Sequence, residues 1–416
     1  MKNWSANLEY STDLVARPSS LDELSQLVAD AATVKALGTR HCFNDIADTQ
    51  GIQILLDAMP GAPEIDSARG VVRVQGGTSY GELARHLQAA GYALHNMASL
   101  PHISVAGAVQ TGTHGSGVGN GGLATAVKAI ELVRASGEVE RLEEADGDEF
   151  LGSVVGLGAL GVVTSLELVI EPSYQVRQQV FEDLPWENAL AGFDEIAASA
   201  YSVSFFTDYA GETIDQVWRK VRATSDDSEG LSDFFGASAA TRPRHPLPNM
   251  SAQNCTEQLD VPGPWLDRLP HFRHEFTPSN GDELQTEYLL PRAHATAALT
   301  EMRGLANQLA PLLLVSEIRT VAADRFWLSP SFQQDSVAIH LTWKPLQREV
   351  ESLLPAIEER LAPFGARPHW GKLFSIDSPG LASVYPRLGD FRKLVAAHDP
   401  SGKFRNAYLD RVLSTD

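Results

Sequence analysis

The stretch SLPHISVAGAVQTGTHGSGVGNGG, residues 99–122, gives the strongest indication of how this chain folds. Glycine and other small residues let a backbone approach a ligand closely. Exposed N–H groups, together with Thr and Ser hydroxyls, can bind a pyrophosphate in place of Lys or Arg. We therefore expect a long loop that either binds such a group or is only a Gly-rich connection. The pattern by itself supports these two interpretations equally.

A second cluster, ALGTRHCFN at residues 36–44, again places a Gly-containing turn directly after a predicted short buried strand. It adds His41 beside Cys42. A lone His beside a Cys is usually structural, or at most a candidate metal ligand. Because Cys42 and Cys255 are the only two cysteines, we expect no disulfide framework and no Cys-rich metal cluster, and we assign no metal to the site. The string of His271, His274 and Glu275 does not have zinc-protease spacing, so we expect a surface or core role for it.

Two further stretches match the dinucleotide pattern G-x-G-x-x-G: GVGNGG at 117–122 and GLGALG at 156–161. A Rossmann loop follows a strand, opens a helix and has an acidic residue about 20 positions on. GLGALG is instead followed by an alternating strand, VVTSLELVI, and GVGNGG lies inside the longer loop. The context therefore does not favour NAD binding by a Rossmann unit.

Helix and strand signals alternate along the rest of the chain and predict an α+β fold. Ser20 is a predicted N-cap, Ser79 and Glu82 form a predicted capping box, and AIELVRASGEVERL predicts a hairpin. After Pro172, aromatic-rich strands mixed with helical runs predict an antiparallel sheet covered on one face, interrupted by a polar loop at 223–249. The expected domains are residues 1–172, residues 173–365, and a C-terminal segment, 366–416.

Composition excludes several classes of function. The chain has 33 Lys and Arg against 53 Asp and Glu, a formal charge of −20, which disfavours nucleic acids and anionic membrane surfaces. No stretch approaches the ~20 apolar residues of a membrane span, and the N-terminus lacks an apolar signal region. We expect a soluble, cytoplasmic protein.

Several ordered motifs together resemble the flavin-binding domain of the vanillyl-alcohol oxidase superfamily: GTRHCFN, SVAGAVQTGTHGSG and GLGALGVVTSL. Further motifs resemble its alditol oxidase branch: MASLPHISVAG, EIRT, HLTW, RPHWGK and DPSGKFRNAYL. The similarity covers nearly the whole chain, which makes it far more specific than one glycine pattern. The resemblance implies a two-domain fold that binds FAD, with the flavin ring at the domain boundary and the second domain as a substrate-binding cap.

The resemblance also implies the cofactor contacts. His41 matches the histidine that some relatives bond to the flavin 8α-methyl carbon. Met97, Ala98 and Ser99 stand where bicovalent relatives have a second linking Cys, so we expect a single covalent bond. Thr39 and Arg40 replace smaller residues of some relatives, and Arg40 could lie near the pyrophosphate. The residues expected around FAD are Ala36, Leu37, Gly38, Thr39, Arg40, His41, Cys42, Ser99, Ser104, Gly107, Thr111, Gly112, Thr113, His114, Val162, Val163 and His369, with Asn406 a lesser candidate.

Oxidation of an alcohol also needs a base and nearby positive charge. In EIRT, Glu317 and Arg319 lie two apart on a predicted strand and so share one face, as His340 and Thr342 do in HLTW. A solvated strand face is the alternative, but the apolar neighbours of both pairs favour buried strands, where charges require partners.

We assign His340 as the proton acceptor and Arg319 as the group that stabilises the developing oxyanion and the reduced flavin. Glu317, Thr342, Lys372 and Ser99 would bind the hydroxyls of a small neutral polyol. Oxygen would reoxidise the flavin and give hydrogen peroxide, and we expect a monomer. A sugar-1,4-lactone oxidase or dehydrogenase of the same superfamily is the alternative enzyme, and a flavin- or carbohydrate-binding protein without turnover is the non-catalytic one.

Overall fold

A computed structural model describes residues 1–223, 233–276 and 283–415. The N-terminal part contains three small sheets: a parallel one in the order β1-β3-β2, an antiparallel one in the order β4-β5-β9-β7-β8, and the pair β10-β6. The strands are β1 Val15–Ala16, β2 Val34–Ala36, β3 Ile52–Ile54, β4 Glu64–Asp66, β5 Val71–Gln75, β6 Tyr92–Ala93, β7 Val127–Val133, β8 Val139–Glu143, β9 Val162–Val169 and β10 Glu171–Pro172. The helices are α1 Leu21–Asp30, α2 Tyr80–Ala89, α3 Val105–Gln110 and α4 Asp148–Val154.

The predicted helix starts are confirmed. The Ser20 side chain accepts a hydrogen bond from the backbone N–H of Glu23, and Ser79 and Glu82 form a complete capping box. The predicted hairpin is also observed, with β7 and β8 joined through a turn in which Gly137 has φ +86°. Each start signal is local, so it was readable without knowledge of the packing.

The prediction of a continuous loop over residues 99–122 is wrong, because α3 lies inside it. Glycine and β-branched residues give this segment a low helix propensity. The helix is stabilised by burial instead, since Val105 and Val109 are fully buried in the main core of the N-terminal part. Tertiary packing has therefore overridden the local preference.

The second part is a ten-stranded antiparallel sheet in the order β14-β15-β11-β13-β12-β18-β19-β17-β20, with β16 paired to β11. Its strands are β11 Gln175–Pro185, β12 Ser202–Thr207, β13 Thr213–Arg222, β14 Asp233–Phe234, β15 Ala237–Ala239, β16 Gly263–Pro264, β17 Leu284–Pro291, β18 Leu313–Val321, β19 Ser336–Trp343 and β20 Arg367–Pro368. The helices that follow are α5 Trp186–Ala191, α6 Phe193–Ala197, α7 Ala295–Gly304, α8 Ala306–Leu309, α9 Gln347–Leu361, α10 Ser378–Val384, α11 Leu388–His398 and α12 Ala407–Leu413.

Helices α5, α6, α7 and α9 cover one face of this sheet, as predicted. On β18 and β19, Ile318, Ile339 and Leu341 pack into the core beneath these helices. Side chains alternate along a strand, so their neighbours Glu317 and His340 are directed to the opposite face. One face of the sheet thus carries this core. The opposite face, here called the open face, carries a smaller apolar cluster that includes Phe206 and Trp218, and it also presents the polar side chains of β18 and β19, which can form a site.

Strand register brings three distant residues into one row on that open face. His340 on β19 pairs with Glu317 on β18 at one side and with Glu287 on β17 at the other. Directly paired residues in an antiparallel sheet have neighbouring side chains. Residues 287, 317 and 340 are therefore adjacent because of pairing.

The C-terminal helices pack on the N-terminal part. Leu381, Phe391 and Tyr408 belong to its main core.

The domain boundaries at residues 172 and 365 stay predictions. Strand β20 extends the large sheet beyond residue 365. The loop predicted at 223–249 contains the short strands β14 and β15, and its residues 224–232 lie outside the described part. Among the described residues, no helix is both long and apolar enough to cross a membrane.

Candidate active site

A cavity runs between the loops of the N-terminal part and the open face of the large sheet. It encloses about 2000 Å³ of empty space, its open mouth included. Most of the predicted site residues form its wall: Ala36, Leu37, Gly38, Thr39, Arg40, His41, Cys42, Ser99, Ser104, Gly107, Thr111, Thr113, His114, Val163, Glu317, Arg319, His340, Thr342, His369 and Lys372.

Three predicted residues lie elsewhere. Gly112 has φ +69° and faces Pro330, so its glycine serves a turn. Val162 is buried in a separate small hydrophobic core. Its neighbour Val163, in contrast, lines the cavity. Asn406 caps α12 and donates to three carbonyls of residues 45–48. The structure does not bring these three to the cavity.

Residues 36–43 and 99–114, where the cofactor is expected, form one half of the cavity, here called the cofactor half, which presents backbone N–H groups. Within the described chain, the amides of residues 38–42 donate no hydrogen bond to protein atoms. Arg40 has φ +64°, a left-handed conformation of the kind that turns consecutive N–H groups toward one concavity. Such a concavity binds anions, so this turn fits a pyrophosphate.

Two glycines let the loops close around that concavity. A Cβ on Gly38 would lie 2.5 Å from Ser104 Oγ, and one on Gly107 would lie 2.7 Å from the same atom. Contacts below 3.0 Å are not tolerated without movement, so side chains at either position would displace Ser104. The glycines of both predicted clusters therefore have a steric reason in this fold.

His41 has one ring nitrogen free. Its Nδ1 lies 3.1 Å from Thr39 Oγ1, whereas its buried Nε2 has no hydrogen-bond partner in the described part of the chain. The ring stacks on Trp4 with centroids 5.2 Å apart. Burial, with a contribution from His102, lowers the pKa of His41 to about 4. At neutral pH the imidazole is uncharged, and Nε2 is the nitrogen available for a bond to a ligand. Together with the anion-binding turn, these residues fit a flavin dinucleotide.

The substrate half of the cavity, formed by the open face of β17, β18 and β19 with residues 369–372, is built around Glu287. Its side chain is 1% exposed, and its carboxylate accepts from Arg319 Nη2 and from Lys372 Nζ, both at 2.7 Å. His114 Nε2 lies 3.3 Å away. Burial alone would raise the pKa of Glu287, but Lys372, His114 and Arg319 hold it well below its usual range. Glu287 is therefore an ionised hub that holds two cations at the cavity wall.

Hydrogen bonds assign the tautomer of His340. Lys372 Nζ lies 2.7 Å from Nδ1, and Thr342 Oγ1 lies 3.0 Å from Nε2. Because an ammonium can only donate, Nδ1 accepts and Nε2 carries the proton. Burial and the neighbouring Lys372 lower the pKa of His340 to about 3, so the ring is neutral. Thr342 accepts from Nε2, which leaves its own hydrogen free to be donated into the cavity.

Glu317 and Arg319 share the same face of β18, as predicted. Arg319 Nε lies 3.6 Å from Glu317 Oε1, and Arg319 Nη1 lies 3.4 Å from Ser99 Oγ. Burial would raise the pKa of Glu317, but Arg319 and His271 hold it far below its usual range. The cavity wall therefore offers fixed acceptors and donors a few ångströms apart.

Sequence reasoning did not point to several charged or titratable residues here: Glu287, His271 and Lys35, which line the cavity, and Lys220, which contacts His271. Glu287 carried a signal, because it is a carboxylate inside the apolar strand LQTEYLLP, the argument already applied to EIRT. His271 and His274 lie in different surroundings. His271 contacts Glu317, whereas His274 packs over Gly81 and stacks on His102. Loop residues such as His271 carry no periodic signal, so only the fold reveals them.

Comparisons with known proteins agree with this architecture. Residues 12–143 match the family model "FAD binding domain", and residues 281–412 match the model "D-arabinono-1,4-lactone oxidase". Cholesterol oxidase from B. sterolicum has a similar fold, with a TM-score of 0.79 at 14% identity, over 99% of this chain and 96% of that structure. The fold and the site thus define an FAD-binding oxidoreductase of the vanillyl-alcohol oxidase type.

The relatives narrow the class further. "Alditol oxidase" from Streptomyces sp. is 49% identical over 99% of this chain and 98% of its own length. "L-gulono-1,4-lactone dehydrogenase" from Mycobacterium tuberculosis is 28% identical over 99% of this chain and 98% of its own. The chain belongs to the alditol oxidase family. The predicted fold class and family are confirmed.

Proposed function

We propose that this protein is an FAD-dependent oxidase that converts the terminal primary hydroxyl of alditols such as xylitol and sorbitol to an aldehyde, with oxygen reduced to hydrogen peroxide. The observation that carries the proposal is the buried row of Glu287, His340 and Glu317 with its two cations. These groups pair with one another, so the wall has little net charge and many directed hydrogen bonds. Such a wall suits a neutral polyol.

FAD would be held by the two loops of the cofactor half, and the free amides of residues 38–42 would bind its pyrophosphate. The His41 link to the flavin is part of the proposal, supported by the unpartnered Nε2. When bound, the flavin supplies the acceptor for the hydride that leaves the substrate carbon. His369 and His114 lie on the same cavity wall and would surround the flavin ring.

The residues of the substrate half handle the proton. His340 is the proposed acceptor, and it gains a free lone pair at Nδ1 when the Lys372 ammonium turns fully to Glu287 Oε2, which it already contacts at 2.7 Å. Burial lowers the pKa of Lys372, with Glu287 opposing that shift, so this lysine gives up or shares a proton more readily than an exposed one. Arg319 faces the same point and stabilises negative charge on the reacting oxygen.

Hydroxyl recognition follows from the assigned hydrogen positions. Thr342 donates into the cavity because it already accepts from His340. Glu317 accepts, since it is ionised. Ser99 Oγ lies beside Arg319 and offers a further contact. A chain of hydroxyls, each both donor and acceptor, can satisfy this alternation, and loss of one partner would leave a buried group unpaired.

One experiment tests both the proposed alditol oxidation and the lactone alternative. The purified protein is acid-precipitated, and the pellet is examined for flavin; native protein is then mixed anaerobically with xylitol or with L-gulono-1,4-lactone, and the flavin absorbance is followed. We expect flavin in the pellet, its loss in H41A, and bleaching by xylitol. Bleaching by the lactone alone would replace the alditol by the lactone as substrate, and a colourless protein would overturn the proposal.

Release of hydrogen peroxide is checked by adding oxygen to the xylitol-reduced protein and measuring peroxide per flavin. We expect one equivalent. The monomeric state and the cytoplasmic location stay predictions from the sequence.

A further inference from the structure

A hydrogen-bonded chain of three buried side chains ends at the substrate half of the cavity. Lys220 Nζ lies 3.1 Å from His271 Nδ1, and His271 Nε2 lies 2.7 Å from Glu317 Oε1. The three come from β13, from the segment after β16, and from β18. Their side chains are at most 7% exposed. Only Glu317 was expected at the site.

The ionised Glu317 fixes the direction of every hydrogen bond in this chain. Lys220 Nζ also contacts the carbonyl oxygens of Leu269 at 2.5 Å and Pro270 at 3.0 Å. Burial lowers the pKa of Lys220 to about 7, with Glu317 opposing that shift, so the lysine alone does not fix the direction. Glu317 is ionised and can only accept, so the neutral His271 ring donates from Nε2, and its Nδ1 accepts from Lys220.

The surroundings hold the imidazole in this orientation and in its neutral form. Phe206 and Trp218 meet the ring edge-on, with centroids 5.5 and 5.2 Å away. Burial, together with Lys220, lowers the pKa of His271 to about 4, although Glu317 acts in the opposite sense. A neutral ring with a fixed tautomer is a directional donor, which a mobile or charged ring would not be.

We propose that Lys220 and His271 are positioning residues that hold Glu317 by its Oε1 and so fix its second oxygen as an acceptor for a substrate hydroxyl. A carboxylate anchored through one oxygen keeps one orientation, whereas a free one rotates about its last bond. Neither positioning residue needs to touch the substrate. The proposal deepens the proposed function, on which its kinetic part rests.

The kinetic test is a double-mutant cycle with H271L and E317Q, measured with xylitol. Loss of one oriented, charge-assisted hydrogen bond is expected to raise KM about tenfold in each single variant, with kcat changed less than about threefold. In the double variant KM is expected to be about tenfold above wild type, the same rise as in each single variant. A hundredfold rise is not expected, because both changes remove the same interaction. A hundredfold, additive rise would overturn the proposal.

Rescue and a matched control separate positioning from packing. In H271Q the carboxamide can accept from Lys220 and donate to Glu317, so KM is expected within about threefold of wild type. K220M is expected to raise KM as H271L does, and it keeps the test available if H271L does not fold. K403M is the control, because Lys403 is likewise buried against two carbonyls, of Val28 and Ala29, yet lies away from the cavity. Equal KM changes in K220M and K403M would contradict the proposal.

A spectroscopic measurement does not depend on the substrate. In ¹⁵N-histidine-labelled holoprotein, with the His271 signals assigned by their loss in H271Q, we expect a proton on Nε2 and none on Nδ1 at neutral pH. The opposite tautomer would overturn the inference even if xylitol is oxidised. The expected tautomer without flavin reduction by xylitol would instead refute the proposed function and leave the hydrogen-bonded chain standing.

Discussion

The two halves of the cavity are lined by different kinds of chemical group. The cofactor half uses main-chain N–H groups and glycines, which come from two short contiguous stretches. The substrate half uses ionised side chains, which come from strands far apart in the sequence. Backbone N–H groups suit a ligand part that does not vary, such as a pyrophosphate. Side chains can be substituted one at a time, so the groups that they present can be altered singly. Under the proposed function, cofactor and substrate are therefore recognised by separable parts of the molecule.

The strongest way to break the substrate half alone is Glu287→Gln. This change leaves Arg319 and Lys372 buried beside a neutral group, and breaking a buried pair costs about 3–5 kcal/mol. We expect kcat/KM for xylitol to fall about a thousandfold, which corresponds to about 4 kcal/mol, while flavin content stays unchanged. Stopped-flow flavin reduction and the absorbance ratio of flavin to protein measure the two quantities.

Glu358→Gln is the control for that variant. Glu358 accepts from the hydroxyl of Tyr288, the residue after Glu287, but lies on α9 at the helix-covered face. We expect kcat/KM within about twofold of wild type. A comparable loss in both variants would show that the effect is one of strand packing.

Acid should destabilise the substrate half, because it contains two histidines buried in the neutral form, His271 and His340. Burial lowers the pKa of His271 from 6.5 to about 4, and that of His340 to about 3. Between pH 6.5 and 4 the unfolded chain binds protons that the folded protein excludes, so stability is present above pH 6.5 and is lost as the pH falls. Each histidine contributes at most about 1.4 kcal/mol per pH unit.

Denaturant titrations of the holoprotein between pH 4 and 8 measure that slope. His340→Gln removes one titrating group, so the slope of the free energy of unfolding against pH is expected to be about 1.4 kcal/mol per unit smaller than in wild type. An unchanged slope would mean that His340 is already protonated in the folded state, contrary to its hydrogen bond from Lys372.

The cofactor half can be broken sterically by Gly38→Ala. The added Cβ would lie 2.5 Å from Ser104 Oγ, and overpacking of this kind costs about 1–3 kcal/mol. We expect roughly tenfold weaker flavin retention in refolded protein, measured by flavin absorbance per chain. Ser104→Ala in the same chain should restore retention, since it removes the clashing atom. Gly119→Ala, whose added Cβ meets nothing within 4 Å, is the control in the same long loop.

The smallest expected effect concerns one hydroxyl of the substrate half. Thr342→Val removes the group that accepts from His340 and donates into the cavity. We expect KM for xylitol to rise about threefold to tenfold, equivalent to about 1 kcal/mol for one hydrogen bond. Thr286→Val is the control, because Thr286 accepts from Trp343 at the helix-covered face. Equal effects would remove Thr342 from the substrate site.

Contiguous motifs made much of the molecule predictable. The caps at Ser20 and Ser79, the hairpin and the two Gly-containing clusters all rest on residues close together in the chain. The same holds for the pairs in EIRT and HLTW, since strand alternation places residues two apart on one face. These features depend on local geometry, and local geometry is encoded locally.

Tertiary structure alone decided which distant residues meet. Pairing of β17 with β19 brought Glu287 to His340, and the loop after β16 brought His271 to Glu317. It also turned part of the expected loop into α3 and left Gly112, Val162 and Asn406 away from the cavity. By itself, therefore, the sequence determined the class of fold and the kind of cofactor turn. Strand register and burial decided the charge network of the substrate half, because both depend on packing between segments that no local pattern connects.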